Sequence, residues 1–446
     1  MSATVGTQLG ALPPTDFRAG LLAAPMTGFQ LRALVIVAVL NLLDGFDVFS
    51  ITFAAPAIVR EYHIAKDALG FVFAAGLIGM ALGSLILSPL ADVYGRRRVV
   101  LGALLAMIVG TGWTAVTTTL PGLAASRVLT GLGIGAMVSV INPLYAEYAN
   151  ARRRDMAVAI CNLGFPIGGV VGGIVAAAIL QSQGWRAIFV VACGIAVVLL
   201  GVVLAALPEP LTGLLVRPGP ATLGRVNAFL ARCGQPALEA LPPHVARGKR
   251  AFAALLAPAA RVTTLRIAAI FFLYVMSVFY IQSWVPTLVA EAGYPPATAA
   301  GVSVVLNLSG VIGGIAFGLI VPRVGLKPVV VFALLLTAAG IILFGIVPPE
   351  INALRAMAAV AGVATIGGMT NLYAVVSRSF PAAARASGTG LVIGLGRFGS
   401  ALGPALAGIL LAHGFVRSEV SWALAAPAVV AALILWRARL RDMDVA

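Results

Sequence analysis

Residues 31–58 read LRALVIVAVLNLLDGFDVFSITFAAPAI, and this stretch decides the fold class. A helix crossing the roughly 30 Å hydrocarbon core of a bilayer needs about 20 mostly apolar residues, and this run is longer than that. Reading outward from it gives twelve such windows, six within 31–207 and six within 266–436. Composition agrees. The 446-residue chain is 61% hydrophobic and 10% charged, and its mean hydropathy is +1.04. Soluble globular chains carry about 25% charged residues, and disordered ones are far less hydrophobic. Both classes are excluded. The expected fold is an all-α membrane protein of twelve transmembrane helices.

The formal net charge is +15, which in a soluble domain would suggest a nucleic-acid partner. The positions of the charges say otherwise. With the N-terminus taken as inside, 23 of the 30 Lys and Arg residues fall in the tails and inner loops, among them Arg96, Arg97, Arg98, Arg152, Arg153 and Arg154. The outer loops hold Arg60, Lys66, Arg186, Arg355 and Arg417. This is a positive-inside pattern, so both termini are expected in the cytoplasm and no nucleic acid is expected as a partner. The Ala-, Gly- and Arg-heavy usage with three Lys suggests a bacterial source, hence a bacterial inner membrane. Cys161, Cys193 and Cys233 form neither a disulfide framework nor a zinc spacing.

The apolar pattern breaks once. The expected organisation is a cytoplasmic tail over 1–30, six helices over 31–207, a Pro-rich cytoplasmic loop over 208–265, six helices over 266–436 and a tail over 437–446. The halves resemble each other. Gly79 and Gly83 precede a loop with Asp92, Gly95 and Arg96, while Gly310 and Gly314 precede one with Arg323, Gly325 and Lys327, about 230 residues on. Six-helix repeats around a midplane site are an architecture of secondary transporters.

Ionisable residues inside a span are costly and point to function. In the first span, Asn41, Asp44 and Asp47 share a helix face within about 120°, with Ser50 about 60° further round. Such a stripe must face protein or water. Two carboxylates one turn apart repel, which favours protonation of one. They are therefore candidates for proton coupling, against a structural role capping a break at Gly45. Arg127, in the fourth span with Gly131, Gly133 and Gly135, faces the same interior. It would pair with Asp44 or Asp47, or trade one of them for a substrate carboxylate. Asn142 shares its face. Arg397 lies in Gly394-Leu395-Gly396-Arg397-Phe398-Gly399 of the eleventh span, with no acid at that depth in the second half. A buried unpaired Arg is expensive, so a transient anion is its expected partner, and a guanidinium binds carboxylates in bidentate fashion. Tyr280 and Trp284 in the seventh span and Asn371 and Tyr373 in the tenth are candidates for an aromatic-ring pocket, against a lipid-facing or interfacial place. Asp92, Arg96 and Glu147 read as a latch at the inner ends of spans two and four, against ordinary surface pairing.

Five segments carry a resemblance. GSLILSPLADVYGRR (83–97) and RVLTGLGIG (127–135) resemble signatures of the major facilitator superfamily. Within it, DGFD (44–47), YIQSWVPTLV (280–289) and GLGRFGSALGP (394–404) resemble the aromatic acid:proton symporter family. The resemblance implies the major facilitator fold of two pseudo-symmetric six-helix bundles, and uptake of a benzoate-like anion with protons. It implies a transport role for Asp44 and Asp47. It also implies a gate in which Asp92, Gly95, Arg96 and Arg97 act with Glu147 and the start of span eleven. The second copy of the loop has Val321-Pro322-Arg323 and lacks the Asp. The expected partners are a small aromatic carboxylate, protons and the bilayer, the chain acts as a monomer, and no cofactor or metal is implied. A proton-coupled exporter with the same fold is the main alternative. A sensor would need a larger soluble domain, and an enzyme would need a nucleophile–base set, which the sequence does not supply.

Overall fold

A computed structural model describes residues 17–216, 219–241, 258–380 and 385–438. Its long helices are α1 (Gly28–Tyr62), α2 (Lys66–Leu82), α3 (Arg96–Val116), α4 (Leu120–Tyr148), α5 (Arg154–Ile179) and α6 (Arg186–Ala206). They continue with α7 (Pro258–Glu291), α8 (Pro296–Val324), α9 (Leu326–Ile346), α10 (Ile351–Arg378), α11 (Arg385–Ala412) and α12 (Arg417–Arg437). Eleven of these have the length and apolarity to cross a membrane, and the remaining one, α5, contains the shorter apolar segment Leu163–Ile179. Helices satisfy their own backbone polar groups, which hydrocarbon requires. The face holding the start of α1 is called here the terminal face, and the opposite one the distal face.

The repeat suggested by the sequence is present in the backbone. Left-handed residues occur at His63 and Gly293, at Gly95 and Gly325, and at Gly184 and Gly414, each pair 230 residues apart. Gly95 and Gly325 both have ψ of 154° with φ of 93° and 95°, a conformation strained for any residue with a Cβ. Side chains repeat too. Arg97 donates to the Leu204 carbonyl at 2.6 Å, and Lys327, 230 residues on, donates to the Ala438 carbonyl at 2.9 Å. These bonds fasten the start of α3 to the end of α6 and the start of α9 to the end of α12. At the distal face Arg186 donates to the Thr117 carbonyl and Arg417 to the Val347 carbonyl, fastening the other ends of the same two pairs.

Glycine faces set the close contacts, since without a Cβ two helix backbones can touch. A Cβ at Gly131 would lie 2.1 Å from the Gly76 carbonyl, and one at Gly135 2.1 Å from that of Met80. These bind α4 to α2. Beyond Leu82 the second helix widens into a π turn over Gly83–Leu87 and a short 3₁₀ turn over Ser88–Leu90. Pro89 lacks an N–H and clashes with the preceding turn, so the regular helix ends before it. The two sets of six meet along α2–α11 and α5–α8.

The stretch read as a loop after α6 contains two short helices, Leu211–Val216 and Thr222–Arg232. The second buries Val226, Phe229 and Leu230, an i, i+3, i+4 face. Phe229 packs edge-on against Phe29 at 5.4 Å. Cys233, on the same face, has its thiol pushed up to about 11 by burial.

Gly131→Ala is expected to cost about 1–3 kcal/mol through overpacking and to lower the unfolding temperature in detergent. Gly76→Ala, where the nearest atom to a new Cβ is 3.7 Å away, should leave that temperature near wild type. Equal losses in the two variants would contradict this packing.

Candidate transport site

The two acids of α1 have different surroundings. Asp47, 1% exposed, is fully engaged. Thr111 of α3 donates to its Oδ2 at 2.8 Å, and Arg127 of α4 lies 3.4 Å from its Oδ1 and donates to its backbone carbonyl at 3.1 Å. Phe189 of α6 covers the guanidinium at 5.8 Å. Of the two acids offered by the sequence as partner for Arg127, the structure pairs it with Asp47. Asp44, one turn toward the terminal face, is wholly buried, and neither carboxylate oxygen has a hydrogen-bond partner among the described residues. The charges that act on it are Asp47 and Arg397. Beside it Gly45 lets α5 approach, since a Cβ there would lie 1.9 Å from the Phe165 carbonyl.

Between the two halves lies a cavity of about 430 Å³, within the size range of sites for small organic ligands. Asn41, Asn142, Phe165, Phe271, Phe279, Tyr373 and Arg397 are on its wall. Ser377 and Thr389, near the terminal-face ends of α10 and α11, extend it toward that face. Phe271 and Tyr373 pack with their ring centroids 5.5 Å apart and their planes tilted by 52°. Arg397 is acted on by Tyr373 and by Asp44 across the halves, and its Nε has no partner among the described residues. The acid missing from the second half at this depth is thus supplied by the first. Arg127 does not share this wall. It borders a separate void of about 20 Å³ with Gly76, Gly131 and Phe49.

The other aromatic and amide candidates are placed differently. Tyr280 shares a hydrogen bond with Ser421 of α12 at 2.9 Å. Trp284 donates to the Pro404 carbonyl of α11 at 3.1 Å and meets Phe73 of α2 edge-on at 5.7 Å. Asn371 donates back to Gly367 of its own helix at 2.8 Å. The polar groups of Tyr280 and Trp284 fasten helices together, that of Asn371 closes on its own helix, and none of the three is on the wall of the large cavity. Two amides that are on it, Gln282 and Asn307, escaped the sequence reading. A lone amide in an apolar span was the available signal.

The faces differ. At the distal face Lys66 and Glu291 pair across the halves at 3.0 Å, and a Cβ at Gly408 of α11 would lie 3.0 Å from the Gly70 Cα of α2. The distal ends of the halves are therefore in direct contact. At the terminal face Arg96 pairs with Glu147, which also accepts from Thr212. Glu209, absent from the sequence-based gate, accepts from the backbone N–H groups of Arg96 at 2.7 Å and Arg97 at 3.2 Å, so it caps the start of α3. Burial pushes its carboxyl up and those two N–H groups oppose the rise. Gly95 is needed there, because a Cβ would meet the Glu209 carboxylate at 2.8 Å. Arg97 contributes through its bond to α6 rather than through an ion pair. The Asp92 side chain lies outside the described residues.

Among the described residues, twelve long helices in two related sixes around a mostly apolar central cavity with a few polar groups on its wall define a membrane transporter fold. The sequence profile of the Major Facilitator Superfamily matches residues 37–327 and 267–444, and the chain belongs to that superfamily. It is 31% identical over 432 residues to the 4-hydroxybenzoate transporter PcaK of Pseudomonas aeruginosa, covering 95% of each chain. It is 29% identical to the gallate transporter of Pseudomonas putida, covering 95% of this chain and 94% of that one. Among solved structures, a D-xylose-proton symporter superposes with a TM-score of 0.71 at 18% identity, over 92% of this chain and 98% of that one.

Arg127→Ala leaves the Asp47 carboxylate buried without its cation and is expected to destabilise the protein by about 3–5 kcal/mol. Replacing both residues, as Asp47→Asn with Arg127→Gln, should recover part of the loss in a denaturant titration. A single variant as stable as wild type would show that the pair does not hold α1 to α4.

Proposed function

We propose that the chain carries a small aromatic carboxylate, such as benzoate or a hydroxybenzoate, into the cell together with protons, by alternating access. The observation that carries the reading is the unpartnered Asp44 carboxylate within electrostatic reach of Arg397 on the cavity wall. Arg397 needs one anion at a time. With Asp44 protonated, the guanidinium is free for a substrate carboxylate, held by charge-assisted hydrogen bonds with its ring beside Phe271 and Tyr373. When the substrate leaves, Asp44 releases its proton and becomes the counter-ion. Loaded and empty sites then carry the same charge, so either can cross between states without an unpaired ion in low dielectric.

The basic residues concentrate toward the terminal face, which supports a cytoplasmic location for that face in a bacterial inner membrane. The structure then represents an inward-facing state, with Lys66–Glu291 and the α2–α11 glycines closing the outside. Arg96, Glu147, Gly95 and Arg97, with Asp92 added from the sequence, form the inner gate that would meet α11 in the opposite state. One chain lines the whole cavity, which supports a monomer as the working unit. Asn142 and Tyr373 on the wall join Arg397 as substrate contacts. Asp47 with Arg127 ties the coupling helix to α4. Tyr280, Trp284 and Asn371 support the pocket from behind. The names of the curated relatives, transporters of 4-hydroxybenzoate and gallate, support the choice of substrate class.

Labelled benzoate, hydroxybenzoates, gentisate and muconate should be tested in proteoliposomes with an inward proton gradient. Accumulation of at least one acid is expected, and its absence for all would sink the symport reading. Extrusion against that gradient would mark an exporter instead. Asp44→Asn should abolish gradient-driven accumulation while leaving substrate exchange across the membrane intact, since exchange needs no proton release. Normal accumulation in this variant would remove Asp44 from coupling. Arg397→Lys should raise KM by about tenfold or more through loss of bidentate contact, with the unfolding temperature unchanged. An unaltered KM would remove Arg397 from the substrate contact.

A further inference from the structure

The cavity has a second polar region, away from Arg397, that the proposed function leaves unused. Gln282 of α7 is 7% exposed and lines the cavity. Its carboxamide has no hydrogen-bond partner among the described residues. Asn307 of α8 is 2% exposed and lines the same cavity. Its Nδ2 donates to the Ser303 carbonyl at 2.9 Å, which fixes the orientation of the amide, because a carbonyl accepts only from the nitrogen. Its Oδ1 is left as a buried acceptor without a partner. Against Gly169 of α5 the Asn307 tip sits where a Cβ would be 2.9 Å away, so the amide lies where the two halves meet.

Depth sets the two polar regions apart. At about 1.5 Å per residue, Gln282 and Asn307 lie roughly 13 Å and 16 Å in from the distal ends of α7 and α8. Arg397 lies about 22 Å in from the distal end of α11. The offset is one that a single benzene ring with substituents at opposite ends can bridge. The wall also carries Phe165, Phe279 and Ile366, apolar surface against which an aromatic ring can pack.

We infer that Gln282 and Asn307 form a hydroxyl-reading subsite, so that the preferred substrate is an aromatic acid bearing a ring hydroxyl opposite its carboxylate. This rests on the proposed docking of the carboxylate on Arg397. A phenolic O–H donates to a free amide oxygen, and the Gln282 amide can donate in return to the phenol oxygen. A ring lacking the hydroxyl leaves buried polar groups without partners, and sites built to hydrogen-bond a hydroxyl discriminate strongly against analogues without it. An aryl ether of similar shape has no donor and gains nothing from the acceptor.

The test is equilibrium binding to the purified full-length protein in nanodiscs, with benzoate, 4-hydroxybenzoate and 4-methoxybenzoate as ligands. 4-Hydroxybenzoate is expected to bind at least about tenfold more tightly than the other two. Gln282→Leu should weaken 4-hydroxybenzoate by about that factor and leave benzoate within about twofold. Equal affinities for the three ligands in the wild type overturn the inference without any variant, as does equal weakening of benzoate and 4-hydroxybenzoate in Gln282→Leu. Benzoate binding without a hydroxyl preference would end this inference and leave the proposed function standing. No binding of any of the three acids would remove both.

Discussion

A guanidinium in the middle of a membrane protein has to have an anion, and this bundle contains two such groups. Arg127 has a fixed one. Its counter-ion is the Asp47 carboxylate, itself anchored by the Thr111 hydroxyl, and Phe189 covers the guanidinium with an aromatic face. Arg397 has no fixed partner among the described residues, and the acid that acts on it, Asp44, belongs to the opposite half of the molecule. The glycine contacts follow from the same constraint. Burying α1 deeply enough to shield both carboxylates requires α5 to touch it, which Gly45 and its neighbours allow. One ion pair thus serves the stability of the first half, while the other set of charges is left uncommitted at the seam between halves.

Much of this is readable in the amino-acid sequence, for physical reasons. Bilayer thickness makes span length a strict requirement, so the helices are visible as runs. The cost of a charge in hydrocarbon makes Asp44, Asp47, Arg127 and Arg397 a short list on residue type and position alone. The left-handed glycines after the second and eighth helices follow from the repeated loop, because that corner admits few other residues. What sequence does not decide is partnership. Asp44 and Asp47 lie on one face, and only the position of α4 determines which of them receives Arg127. Tyr280 and Trp284 sit on a face with Tyr274 that suits either a pocket or a helix contact, and their hydrogen bonds to α12 and α11 place them in contacts. Glu209 reads as a loop residue, because its role depends on a backbone more than 100 residues earlier in the chain. Gln282 and Asn307 carry no charge and break no periodicity, so their one signal in the sequence is an amide within an apolar span.

The relation between the halves bears on how such a molecule moves. The contacts within each half are made by backbone against backbone, with ions and hydroxyls at fixed stations. The distal contact between halves combines a partly exposed ion pair, two facing glycines and one aromatic edge. Surface ion pairs contribute little, and small residues part without rotamer changes. Among the described residues the seam therefore holds no buried side-chain ion pair like that between Asp47 and Arg127.

The cation-to-carbonyl bonds at both ends of α3 and α6, and again at both ends of α9 and α12, add a mechanical property. A helix pair pinned at one end can slide or splay like scissors. A pair pinned at both ends keeps its register, because any shift along its length would detach Arg97 or Arg186, or Lys327 or Arg417, from its acceptor. These outer pairs act as stays of fixed length on either flank. Shear along them is opposed, which favours rotation of each half as a unit over sliding within it.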